Sequence, residues 1–178
     1  MWRTTDEHRP HNGQHSTLEG MGRALVMTTI VGTLLLSSSC GSHEPTLEAP
    51  DHVVTIQRSN GVVERLHVLV ADDDAERAKG LMGVTQLPPA QGMAFLFDRP
   101  SIESFWMKDT LIPLSVAFVD ARGGIVTIRE MEPCRSDPCP TYDSGAPYVM
   151  AIEANRGWFE DNGVRIGDRA TLAAVASQ

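Results

Sequence analysis

From His52 to Ala154 the β-branched and aromatic residues come in short runs, each soon halted by glycine, proline or an acidic turn. Runs this short favour strands joined by turns, and no repeating strand-helix-strand pattern accompanies them. HVVTIQR stops at Ser59-Asn60-Gly61, a hairpin turn signal. In VVERLHVLVA, Leu66, Val68 and Val70 alternate with His67 and Leu69, as in a half-buried strand. Further strands are expected at residues 93–97, 104–108, 114–120, 125–132 and 148–154, all rich in Val, Ile, Phe, Trp or Tyr. Asp120-Ala121-Arg122-Gly123-Gly124 predicts an antiparallel hairpin between 114–120 and 125–132. Asp72-Asp73-Asp74 offers helix N-caps for a short helix in AERAKGLMG, ending at Gly80 or Gly83. A helical turn or short helix is expected between Asn155 and Asn162, closed by Gly163. The sum is an all-β fold, a compact antiparallel sandwich or barrel with one or two short helices.

Ahead of these strands the chain changes character. Ala24 to Leu36 reads ALVMTTIVGTLLL, uncharged, preceded by Arg23 and followed by Ser37-Ser38-Ser39 and Cys40. A positive flank, an apolar run and a small-residue exit describe an export signal. A membrane span needs ~20 apolar residues, and the last third of 24–42 is Ser, Cys and Gly; an uncleaved anchor is the alternative. Met21 makes a better start than Met1, which would place residues 1–20 upstream of the signal; a long N-region is the alternative, and either way 1–39 lies outside the mature protein. Cys40 looks like the acylated cysteine of a bacterial lipoprotein, with Ser38 and Ser39 before it and Ser37 where Leu is usual. Acyl chains there would hold the domain at a membrane at ~0.8 kcal/mol per buried methylene; ordinary cleavage without a lipid is the alternative. Residues 40–50 then read as a tether and 51–178 as a single β-rich domain outside the cytoplasm, at the cell membrane or envelope.

Cysteine parity fits that address. The chain has three cysteines, and Cys134 and Cys139 stand close together in PCRSDPCP. In an oxidising compartment they pair, and lipid accounts for Cys40. Zinc is the poorer reading, since there is no second cysteine pair and no histidine after His67. The segment from Pro133 to Pro147 carries four prolines and no strand pattern. It is expected to be a stapled loop, either one wall of a cleft or a rigid surface loop.

The net charge is -8, and the whole acidic surplus falls in residues 40–178. Such a surface repels phosphate backbones, so nucleic acid is not expected as a partner. No G-x-S-x-G, P-loop or G-x-G-x-x-G motif is present, and no cofactor or metal is expected. Met82, Met93, Met107, Met131 and Met150 read as core rather than as a copper site. In FWMKDT, strand alternation puts Phe105, Met107 and Asp109 on one face and Trp106, Lys108 and Thr110 on the other. The second face joins an indole, an ammonium and a hydroxyl. Trp106, Lys108, Asp109 and Thr110 are therefore the candidate ligand-binding residues; the alternative is a packed Trp and a Lys108 paired with an acid. For acid–base work Glu103, Asp109, Asp120, Asp143 and Glu153 are candidates by composition alone.

ERAKGLMGVTQLPPAQGMAFLF, FWMKDTLIPLSVAFVD, a Gly-rich hairpin and YVMAIEANRGWFEDNGVRIGD together resemble the domain of unknown function 192 family over about residues 52–173. The resemblance implies a compact, mainly antiparallel β fold and no established activity. Asp109 stands where Asn is common in that family, and Ser115 where Asp is common. The functional expectation is a membrane-tethered binding module for a small molecule, glycan or envelope protein. The alternatives are a small Asp/Glu enzyme acting on extracellular glycan or peptide, and an envelope assembly partner.

Overall fold

A computed structural model describes residues 49–175. The expected signal segment and Cys40 lie outside the described residues. Nine strands and two short helices follow in the order β1 (His52–Gln57), β2 (Val63–Ala71), α1 (Asp74–Lys79), β3 (Gln91–Ser101), β4 (Phe105–Trp106), β5 (Leu114–Val119), β6 (Ile125–Met131), β7 (Thr141–Tyr142), β8 (Tyr148–Asn155), α2 (Trp158–Asp161) and β9 (Arg169–Ala174). Seven of them form one curled sheet in the order β6-β5-β8-β3-β2-β1-β9, and β4 pairs with β7 apart from it. This is the expected all-β architecture, a half-barrel. Within it one pairing, β2 with β3, is parallel. Parallel neighbours need a crossover, and α1 with the turns after it supplies one.

The turn signals act as the sequence implies. Gly61 takes φ 85 in the β1–β2 hairpin, where Val54 pairs with Leu66. Asp120 accepts from the backbone N–H groups of Arg122 and Gly124 at 2.8 and 2.9 Å, closing the β5–β6 hairpin. Those N–H groups hold the Asp120 carboxyl below its ordinary range, so this acid shapes a turn. Asp73 caps α1 by accepting from Glu76 N at 2.8 Å, and the helix stops at Gly80 with φ 45.

β5 is buried along its whole length, and its alternate residues feed two cores. Ala117 and Val119 join Val54, Ile56, Leu66, Val68 and Ile152 on one face. Leu114, Val116 and Phe118 join Phe95, Met93, Met107, Met131 and Tyr148 on the other. The curl brings the outer strands together at one corner. Ile125 N donates to Asp168 O at 2.9 Å, and Ala170 N donates to Gly123 O at 2.8 Å. Asp168, buried beside this corner, accepts from Ser59 N and Arg165 N, both at 2.8 Å. The first core fills the space inside this curl; the second lies on the opposite face and carries the site.

Two expectations change. The strand expected at 104–108 is only Phe105–Trp106, because the backbone turns after Met107. Thr110 N donates back to Met107 O at 3.1 Å, and Asp109 takes φ 52. Asn and Asp tolerate that left-handed conformation best among residues with side chains, which explains either residue at this position. The loop from Pro133 to Pro147 is also less irregular than its prolines imply, since Thr141–Tyr142 forms β7 against β4.

Candidate functional site

Glu153 is the unusual residue of the second core. It lies on β8 between Met93 of β3 and Val116 of β5, in a strand whose neighbours are apolar. Its side chain is 4% exposed. Burial alone pushes its carboxyl up to about 8, with no charge or hydrogen bond acting on it. No ion pair among the described residues reaches it. At neutral pH it is therefore mostly protonated.

This carboxyl lines a cavity of about 260 Å³. Three parts of the chain build the rest of the wall. The C-terminal end of α1 and its exit turn bring Arg77, Lys79, Gly80, Leu81 and Met82. β3 brings Phe95 and Phe97, and the segment into β4 brings Glu103, Ser104, Phe105 and Trp106. Tyr148 and Thr110 complete it. The aromatic residues are fixed by edge-to-face contacts, with ring centres 5.0 Å apart for Phe95 and Phe105 and 5.1 Å for Phe97 and Tyr148. Phe118 supports both from behind, 5.4 Å from Phe105 and 4.9 Å from Tyr148. The Tyr148 hydroxyl donates to Glu103 O at 2.8 Å, pinning the cleft rim to β8. Gly80 is required where it stands: it has φ 45, and a side-chain carbon there would lie 3.2 Å from the Phe95 ring.

The structure divides the four residues singled out from FWMKDT. Trp106 and Thr110 line the cleft, Trp106 half exposed and Thr110 buried. Lys108 and Asp109 do not. Lys108 Nζ bonds Asp137 Oδ2 at 2.5 Å, and that bond holds its ammonium above the ordinary lysine range. Asp109 is exposed in the turn, its N–H donating to Cys134 O at 2.9 Å. The alternation expected along this segment holds from Phe105 to Lys108 and inverts at Asp109 and Thr110, where the turn swaps the faces.

The stapled loop is present but lies elsewhere than the cleft expectation placed it. Cys134 and Cys139 sulfurs are 2.07 Å apart in a disulfide. Cys134 bridges Lys108 and Thr110 through the backbone, so the loop braces the turn that carries Thr110. None of the cleft-lining residues comes from 133–147; the opposing wall is α1 and its turn. Sequence reasoning had no means to find that wall, because AERAKGLMG reads only as a short helix. A signal for Glu153 did exist: it is the one charged residue in YVMAIEA, an otherwise apolar strand.

Ser115, where the resemblance leads one to expect Asp, is buried on the opposite face of the sheet. Its hydroxyl donates to Glu130 Oε1 at 2.7 Å and accepts from Gly157 N at 2.8 Å. The carboxylate near α2 thus comes from the paired residue on β6.

Residues 55–172 match the model of DUF192, described as an uncharacterized ACR. The chain belongs to the DUF192 family. Two solved structures share the DUF192 fold seen here. One, a candidate transcription regulator from Sinorhizobium meliloti 1021, is 31% identical with a TM-score of 0.66, over 73% of this chain and 99% of that one. The other, a protein of unknown function from Novosphingobium aromaticivorans DSM 12444, is 30% identical with a TM-score of 0.62, over 67% of this chain and 83% of that one. No curated protein matches the chain.

Proposed function

We propose that this DUF192 protein is a binding module, exported and tethered by lipid on Cys40, whose ligand occupies the cleft over Glu153. The observation that carries the reading is a buried acid with no ion-pair partner among the described residues, opening on a cavity walled by fixed aromatic rings. An acid in such surroundings is costly to ionise, and acids placed this way on a cavity wall concentrate at functional sites. Half-exposed Trp106 at the rim adds a flat apolar surface for an entering molecule. The acidic surplus of residues 40–178 speaks against a nucleic-acid partner here; the description of the Sinorhizobium protein stays with that protein.

Ligand-observed NMR with a panel of small amines, glycosides and short acids tests the site. At least one class is expected to bind the wild type and to lose most of its signal with both Trp106→Ala and Glu153→Gln. Equal binding of every compound by all three proteins would remove the cleft from consideration. The tether has its own check. Cys40→Ala is expected to move the protein from the membrane to the aqueous phase and to remove an acyl mass from the N-terminal peptide. An unmodified Cys40 in the wild type would end that part of the reading.

A catalytic reading has one observation in its favour. A carboxyl neutral at ordinary pH is the form that a general acid needs. Turnover of cell-wall glycan or peptide, abolished by Glu153→Gln, would make the protein an enzyme.

A further inference from the structure

The walls of the cleft say more about the occupant than that one exists. We infer that the cleft takes an organic cation, an ammonium group on a small apolar body, with the ammonium against Glu153 and the body among the aromatic rings. The inference rests on the cleft being the binding site and adds the chemistry of the ligand.

Three observations lead there. First, among the described residues Glu153 is the only buried acid on the cleft wall, and no cation forms an ion pair with it. A carboxylate in such surroundings is stable only beside a positive charge, so a cationic ligand supplies what the fold leaves out. Second, the wall is built of Phe95, Phe97, Phe105, Trp106 and Tyr148, and the faces of such rings attract cations. Third, this wall already holds one cation. The Arg77 guanidinium carbon lies 5.2 Å from the centre of the Phe97 ring. Three of its five N–H donors are taken by Asp74 Oδ1 at 2.5 Å and by the carbonyls of Asp72 and Leu96 at 2.6 and 2.8 Å, and its ion pair is with Asp74 rather than Glu153.

At the rim Asp74 is paired with Arg77, and Glu103 is matched in number by Lys79, so Glu153 sets the sign of charge that the cleft favours. A neutral ligand would leave Glu153 protonated, so its binding would release no proton and would not strengthen as pH rises. The charged and titratable groups around the cavity besides Glu153 are Asp74, Arg77 and Lys79 from α1, Glu103 before β4, and Tyr148 on β8. Tyr148 has its phenol raised above the ordinary range by burial and stays neutral as a donor to Glu103 O. When the ammonium enters, the Glu153 proton leaves to solvent, and the carboxylate and cation remain as a pair. Binding therefore releases close to one proton per ligand at neutral pH.

Calorimetry on the full chain with benzylammonium, benzyltrimethylammonium and benzyl alcohol decides the matter. Either cation is expected to bind at least about tenfold tighter than the alcohol near pH 8, and to weaken at least about tenfold by pH 6. Titrations in two buffers of different ionisation enthalpy should show the released proton. Glu153→Gln, which keeps every other charged group around the cavity, should remove both the preference and the pH dependence. It should leave any alcohol binding in place. Alcohol binding as tight as cation binding in the wild type would overturn the cation assignment while keeping the cleft as the site. Failure of all three probes to bind would overturn the assignment and the site together.

Discussion

Glu153→Gln is expected to stabilise the protein at about pH 8.5, raising its melting temperature by on the order of 10 °C, and to change little near pH 4. The folded chain holds a proton on Glu153 up to about pH 8, whereas the unfolded chain gives it up near 4.5. Between those values the folded state binds more protons. Its stability therefore falls as pH rises through that window. At 1.36 kcal/mol per pH unit the whole loss is roughly 5 kcal/mol, a large share of a domain's stability. Gln has the same shape and no charge to desolvate, so the variant escapes the loss. Thermal unfolding of both proteins across the window checks the result. A difference in stability that stays constant with pH would show that the folded state does not keep Glu153 protonated.

Gly92→Ala is expected to cost at least about 3 kcal/mol, or to prevent folding. Gly92 pairs with Ala154 where β3 meets β8. A methyl there would lie 2.2 Å from the carbonyl oxygen of Glu153 and 2.8 Å from Leu66 Cδ2. The first of these is main chain in the centre of the sheet, which has little room to yield. Relief requires β8 to move at the residue that carries the cleft's acid. The expected signs are a lower denaturant midpoint and, in any folded fraction, a displaced Glu153 titration. A loss under about 1 kcal/mol would mean that the β3–β8 contact is looser than its geometry implies.

How much of this was legible in the sequence depends on the range of the signal. Turns and caps are local, and Asn60-Gly61, Asp120 to Gly124 and Asp73 all act where the residues indicate. Strand pattern is nearly local, and it located the long strands. It passed over β7, which is two residues long, and β9, whose RATLAA carries few bulky side chains. The site was legible only in part. Trp106 and Thr110 stood out as polar-aromatic neighbours, and both line the cleft. Lys108 stood out equally, yet its partner Asp137 belongs to a distant loop that alternation does not register. Glu153 could not be ranked above Glu103, Asp109, Asp120 or Asp143, because burial is set by strands that meet it only in three dimensions. Gly92 carried no signal at all for the same reason: the backbone that excludes its methyl belongs to β8.

The corner where Ile125 and Ala170 bond Asp168 and Gly123 has one more consequence. An open seven-stranded sheet would offer two unpaired rims to any neighbouring molecule, each a template for extension. Here the rims meet at that end through three backbone hydrogen bonds, Ile125 N to Asp168 O, Gly167 N to Ile125 O and Ala170 N to Gly123 O. A neighbouring copy would meet two edges that converge at that corner rather than one flat rim, so the curl shortens the template open to extension.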